Sequence, residues 1–263
     1  MTTKALCIGI NDYPGTSNDL SGCVNDARDW SSELTGRGFS VRLMLDKEAT
    51  RAAMVEAINS LITTAVKGDT LFITYSGHGT WVPDSSGDEP DGRDEALCPY
   101  DLATNGALLD DDIHALFAER PAGVRIVLIS DSCHSGSVTR GQEEDIDPGM
   151  PRIRFMPPEA WMPRDQLPPA RLSSTIPRAG FTRAGGDLLL AGCQDTEYSW
   201  DTSFRGRPNG AFTYYALKTL HETKPKNYEA WFNAIRTYLP STRLPQSPQI
   251  FGTRTARRFK VFE

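Results

Sequence analysis

At 263 residues, with 39% hydrophobic and 24% charged content, the chain has an ordinary globular composition and length enough to bury a large core. A net charge of −6 argues against a nucleic-acid partner, and no apolar run reaches the ~20 residues that a membrane helix needs. Five scattered cysteines without a CxxC pair argue against a zinc site or disulfide framework, and MTTKALCIGI is too short in apolar residues for a signal peptide, so a cytoplasmic location is expected.

In chain order, KALCIGI reads as a buried strand. SGCVNDARDWSSELTGRG follows as a helix, with Val24, Ala27, Trp30 and Leu34 at helical spacing and glycine as its stop. FSVRLML is a second strand. ATRAAMVEAINSLITTAV is a helix with Thr50 as N-cap and a stripe of Met54, Ile58, Leu61 and Ile62. DTLFITYS and RIVLIS are further strands, separated by a helix around DDDIHALFAE. This alternation predicts an α/β fold, a parallel sheet with helices on both faces.

Residues 141–184 break the pattern. Eight of the 18 prolines lie between Pro148 and Pro177 without any sustained period, which predicts a long surface loop. DLLLAGC then gives a fifth strand, GAFTYYALKTL and NYEAWFNAIRTYL two helices, and PQIFG a short last strand. One domain over 1–263 is expected: 1–140 with the reactive residues, 141–184 as the Pro- and Arg-rich loop, and 185–263 completing the sheet.

Ligands of open parallel sheets bind beyond the carboxyl ends of the strands. Two strands here end in reactive residues within glycine-containing turns: FITYSGHG delivers His78, and VLISDSCHSG delivers Cys133. On neighbouring strands these two supply a general base and a nucleophile. His134 leaves the same strand end as Cys133 with its side chain directed away, so His78 is the better base and His134 a structural residue of the turn. By itself Asp26 also reads as a first-turn helix acid, and Asp131 as a strand-end cap.

YSGHG and DSCHSG, each closing an apolar strand, resemble the histidine and cysteine motifs of caspase-like cysteine peptidases, above all the metacaspases. SGCVNDA, GDEPDGRDEALCPYD, LLDDDI and LLLAGCQDTEYSWD followed by NGAFTYYAL extend the resemblance over nearly the whole chain. It implies a caspase-like fold with a single six-stranded, mostly parallel sheet flanked by helices on both faces. It also implies a Cys133–His78 dyad with a mutually stabilised thiolate and imidazolium, and an oxyanion hole of the Gly79 and Cys133 N–H groups. Asp26, Asp131 and Ser76 match residues of a pocket that accepts Arg or Lys before the cut bond, and Cys23 reads as packing or as lining of that pocket. The implied partners are protein or peptide substrates with Arg or Lys at that position, with no nucleic acid, no membrane and a monomeric chain.

Many metacaspases are activated by calcium at four aspartates, and Asp94, Asp110 and Asp111 match three of them. Arg140 stands where the fourth is expected, and a cation there opposes calcium by repulsion, so no cofactor is expected to be required. Between Asp84 and Asp112 the ten carboxylates also read as a solvated loop. Arg152, Arg154, Arg164, Arg171, Arg178 and Arg183 sit among the loop prolines, so self-cleavage somewhere from Arg140 to Arg183 is expected of an enzyme preferring basic residues. Trp200 and Asp201 are placed at the border of the cleft, and His221 at a helix end. The competing readings are another Arg-specific branch, clostripain-like or gingipain-like, and a non-catalytic relative that binds peptides.

Overall fold

A computed structural model describes residues 3–84, 92–133, 151–167, 187–194 and 197–263. His134, Arg140, Arg171, Arg178 and Arg183 lie outside these described residues. Among the described residues, twelve strands and seven α-helices follow in order. The strands are β1 (Thr3–Gly9), β2 (Ser40–Leu45), β3 (Thr70–Ser76), β4 (Gly79–Pro83), β5 (Arg93–Leu97), β6 (Leu108–Leu109), β7 (Arg125–Asp131), β8 (Arg152–Ile153), β9 (Leu188–Ala191), β10 (Trp200–Phe204), β11 (Arg207–Gly210) and β12 (Gln249–Gly252). The helices are α1 (Cys23–Gly36), α2 (Arg51–Thr63), α3 (Leu102–Asn105), α4 (Asp110–Ala118), α5 (Ala211–Thr223), α6 (Tyr228–Ile235) and α7 (Arg254–Arg257).

The central sheet has six strands in the order β12-β9-β7-β3-β1-β2, and only the β12–β9 pair is antiparallel. Successive residues of a strand face opposite sides of the sheet, and the apolar runs exploit both. Leu6, Ile8, Leu71, Ile73, Ile126 and Leu128 enter a core closed by Met54, Ile58 and Ile62 of α2 and Phe117 of α4. Ala5, Cys7, Phe72, Val127, Ile129 and Leu190 enter the other core, closed by Ala27, Trp30 and Leu34 of α1 and by Phe212 and Trp231 of α5 and α6. Each large apolar side chain buried this way contributes about 1.5–3 kcal/mol, which is why the strands with unbroken apolar runs take the centre of the sheet. The caspase-like α/β architecture with helices on both faces follows. Thr50 caps α2 as its sequence predicts, its side chain accepting from the Ala53 N–H.

One expectation is corrected. Part of the segment predicted as surface loop is interior: Arg154, Phe155 and Met156 are buried, and β8 pairs antiparallel with β10. The proline spacing hides this because the segment has neither helical nor strand period. Its partners are backbone groups and carboxylates supplied by other parts of the chain.

Candidate active site

The register of the sheet sets the site. Ser76 of β3 pairs with Asp131 of β7, so the turns that follow leave the same edge side by side. His78 and Cys133 each stand two residues past that pair. Gly77 allows the first turn: a Cβ there would lie 2.6 Å from the hydroxyl oxygens of both Tyr13 and Tyr75. Those two hydroxyls hold the turn. The His78 N–H donates to Tyr13 Oη at 2.8 Å, and Tyr75 Oη donates to the His78 carbonyl at 2.6 Å.

The His78 ring is buried against Tyr13, with ring centroids 4.8 Å apart. Its Nε2 lies 2.6 Å from the Asn18 carbonyl and therefore carries the proton. Nδ1 then holds the lone pair, and it has no hydrogen-bond partner among the described residues. Burial pushes the imidazole down to about 4, against the opposing pull of the bond to Asn18, so the ring is neutral at neutral pH. The thiol of Cys133 lies against Ser199. It accepts from the Ser199 N–H, lies 3.6 Å from the Ser199 carbonyl, and packs beside Cys193, Trp81 and Phe155. Its bond to Cys133, and then burial, push the Cys193 thiol well above the ordinary range. In this arrangement the His78 ring is neutral and its Nδ1 makes no hydrogen bond among the described residues.

Between these residues runs the chain's own segment from Arg152 to Met156. The Arg154 carbonyl oxygen accepts from the Gly79 N–H at 3.0 Å and from the Cys133 N–H at 3.1 Å. The Arg154 N–H donates to the Ser199 carbonyl at 2.9 Å, and the Met156 N–H to the Gly79 carbonyl at 2.8 Å. Upstream, Ile153 and Arg152 pair with Trp200 and Asp201.

The Arg154 side chain enters a fully buried polar chamber. Its Nη2 donates to Asp26 Oδ2 at 2.7 Å and to Asp201 Oδ1 at 3.0 Å. Its Nη1 donates to Ser76 Oγ at 2.7 Å and stands 3.2 Å from Asp131 Oδ2. Each carboxylate is in turn held by neutral donors. Asp26 accepts from Ser76 Oγ at 2.6 Å, Asn209 Nδ2 at 2.8 Å and the Gly210 N–H at 3.0 Å. Asp131 accepts from the N–H and Oγ1 of Thr213 and from Ser199 Oγ. Asp201 accepts from the N–H groups of Ser21 and Gly22. Isolated buried charges are costly, and here one guanidinium meets three carboxylates in a dense donor lattice. Burial alone would lower the Arg154 pKa; Asp131, with Asp26 and Asp201, outweighs it and keeps the guanidinium charged. Burial pushes the Asp26 carboxyl up to about 6 despite Arg154, and Asp131 adds to that rise.

Of the residues expected at the site, Asp26, Asp131, Ser76, His78, Gly79 and Cys133 all converge on Arg154. Cys23, the buried first residue of α1, donates its N–H to Asn11 Oδ1 at 2.8 Å. Burial pushes its thiol well above the ordinary range, and the nearby Arg154 charge pulls the other way, which places it beside the chamber. Asp201, expected only at the cleft border, contacts the guanidinium directly. Asn18, Ser199, Asn209 and Gly210 were not singled out in the sequence, and Arg154 stood there only as one of six loop arginines; NG in NGAFTYY was the available signal for two of them. His221 lies in the last turn of α5, 3.1 Å from Glu33, as a helix-end residue.

Asp94 is on β5, while Asp110 and Asp111 occupy the first turn of α4, where the helix dipole favours acids. Among the described residues no group of three or more His, Cys, Asp or Glu side chains is arranged to hold a metal ion. Among the same residues no helix is long and apolar enough to cross a membrane.

Comparison with known proteins bears on this geometry. Residues 3–140 match the family model described as Metacaspase, peptidase C14 domain. The chain is 34% identical to Metacaspase-1 of Cryptococcus neoformans over 94% of its own length and 61% of that protein's. It is 32% identical to Metacaspase-1 of Mycosarcoma maydis, covering 69% of that protein. The chain thus spans only about three-fifths to two-thirds of the length of these relatives. The crystal structure of a Geobacter sulfurreducens protein superposes with a TM-score of 0.74 at 31% identity, covering 100% of this chain and 98% of that one.

Proposed function

The chain belongs to the metacaspase peptidase family, and from that premise we propose that it is a cysteine endopeptidase cutting protein substrates after arginine, and more slowly after lysine. Cys133 is the nucleophile, His78 the proton-transfer group, and the Gly79 and Cys133 N–H groups the oxyanion hole. The observation that carries this reading is Arg154: an arginine lies in the carboxylate chamber while its carbonyl oxygen receives both of those N–H groups.

The chemistry follows from the placement. The two N–H groups point at the oxygen on which negative charge develops when the carbonyl carbon is attacked. His78 is held by Asn18 in the tautomer with a basic Nδ1, suited to take the thiol proton and deliver it to the leaving amine. Asp26, Asp131 and Asp201 complement a planar guanidinium with donors at two terminal nitrogens, whereas a lysine ammonium is a single point charge. A caspase-type substrate with aspartate before the cut bond would bring a fourth carboxylate into the chamber and be repelled.

The enzyme is proposed to work without calcium, to process itself within 140–184, and to act in the cytoplasm, where its five free cysteines stay reduced. The deciding experiment measures hydrolysis of matched fluorogenic peptides ending in Arg, Lys or Asp, in thiol reductant. Turnover of the Arg peptide that disappears in Cys133→Ala is expected. Absence of turnover on every peptide supports instead a peptide-binding relative, and preference for Asp overturns the pocket assignment.

A further inference from the structure

Helix and strand periodicities bring four residues together beside the carboxylate chamber. Asp26 and Asp29, three apart on α1, share a helix face, and Arg207 and Asn209, two apart on β11, share a strand face. Arg207 grips Asp29 as a fork, Nη1 to Oδ2 at 2.6 Å and Nη2 to Oδ1 at 2.8 Å. Its Nη1 also donates to Asn209 Oδ1 at 2.8 Å. Asn209 Nδ2 then donates to Asp29 Oδ2 at 3.0 Å and to Asp26 Oδ1 at 2.8 Å. Beside these side chains, Asn25 Nδ2 fastens β11 to α1 by donating to the Pro208 carbonyl at 2.8 Å.

We propose that Asn209, held by the Arg207–Asp29 pair, is a positioning residue that sets the preference for arginine over lysine in the chamber. This rests on the peptidase reading above and names residues that act on the substrate side chain through Asp26.

The inference follows from what each group can offer. A guanidinium has only donors, and an ionised carboxylate only acceptors. Arg207 therefore takes the amide oxygen of Asn209 and turns the amide N–H groups toward the two carboxylates. That fixes the rotation of Asp26: Oδ1 faces Asn209, and Oδ2 faces Arg154 Nη2 at 2.7 Å and Ser76 Oγ at 2.6 Å. The Gly210 N–H lies 3.0 Å from both oxygens and by itself does not choose between them. Without Asn209 the carboxylate can turn about its Cβ–Cγ bond. A planar guanidinium, matched at both terminal nitrogens, loses by such a turn; an ammonium, a point charge with rotatable donors, loses little. Discrimination between the two side chains is thus what Asn209 controls.

Burial divides the device into an inner and an outer part. Asn209 is 3% exposed, whereas the Arg207 and Asp29 side chains are 47% and 33% exposed. The outer pair lies on the wall of a cavity of about 710 Å³ between α1, α5 and the β10–β11 hairpin. An exposed ion pair adds little to stability by itself. Arg207 can therefore be changed without unfolding the chain, and its effect on substrate is carried by Asn209.

The test measures kcat and KM on matched fluorogenic peptides ending in Arg and Lys, with thermal melting of each protein. The proteins are wild type, Asn209→Ala, Arg207→Ala and the double variant. The Lys peptide is also read as a competitor of the Arg peptide, so slow turnover does not hide its binding. Asn209→Ala is expected to raise KM for the Arg peptide about tenfold, the scale of one hydrogen bond to a charged group. Binding of the Lys peptide and both kcat values should change by less than about twofold. Arg207→Ala should shift the Arg-to-Lys ratio the same way by about threefold, the scale of an exposed ion pair. In the double variant it should add nothing to Asn209→Ala, because its effect passes through that side chain. If Asn209→Ala does not fold, the ratio in Arg207→Ala decides alone. An equal loss on both peptides, an unchanged ratio in Arg207→Ala, or full additivity in the double variant overturns this proposal and leaves the peptidase reading standing. Wild type that turns over neither peptide overturns the peptidase reading, and this proposal with it.

Discussion

A Cβ on Gly210 would lie 2.5 Å from Nη1 of Arg154, so the backbone at this position is one wall of the chamber that holds the guanidinium. The same hypothetical atom would be closer still to Asp131 Oδ2. Gly210→Ala is expected to raise KM for Arg peptides and to cut kcat/KM at least tenfold, which is about 1.4 kcal/mol. Thermal melting separates this from misfolding, since the substitution fills a pocket rather than emptying a core. Unchanged kcat/KM would mean that the chamber does not receive the substrate side chain.

Asp26 governs the acid side of the pH profile of self-cleavage. Its carboxyl sits at about 6 because of burial, so below that pH it takes up a proton and its pairing with Arg154 is lost. His78, lowered to about 4, stays a neutral base until the pH falls much further. The self-cleavage rate should therefore rise up to about pH 6 and then level off. In Asp26→Asn the rate is lower throughout, and its rise moves toward pH 4, where His78 titrates. A wild-type limb that stays near 6 in Asp26→Asn would assign it to another group.

Gly77→Ala should act on kcat rather than on KM. A Cβ there collides with the Tyr13 and Tyr75 hydroxyls that position His78, and its three nearest neighbours all belong to those two tyrosines. Displacing a proton-transfer group by about 1 Å is enough to lose on the order of a hundredfold in rate. An equal loss in KM would show that the turn also shapes the pocket.

Chelator should leave peptide turnover unchanged. Asp94, Asp110 and Asp111 are not arranged as a metal site among the described residues, and Arg140 replaces the expected fourth aspartate. The check is turnover in excess chelator against millimolar calcium, and Arg140→Asp should introduce a calcium response if the remaining three positions are competent.

Much of this protein was legible in order of residues alone. Apolar runs such as TLFITYS and RIVLISD identified the inner strands, because a strand buried on both faces has no polar side to show. Helical stripes fixed α1 and α2, and the two glycine turns at strand ends marked His78 and Cys133. The register that sets Ser76 opposite Asp131, and so brings the two turns together, depends on pairing between strands and has no local signal. Nor did any local pattern show that Arg154, one of six arginines in a proline-rich stretch, would be the buried one. Its place is set by carboxylates from α1, β7 and β10, by Ser76 at the end of β3 and by the Gly79 and Cys133 N–H groups, contributed from widely separated parts of the chain. The sequence by itself determined which residues could do chemistry. Only the tertiary structure decided which of them meet, because a buried cation must be neutralised by charges that folding alone brings within reach.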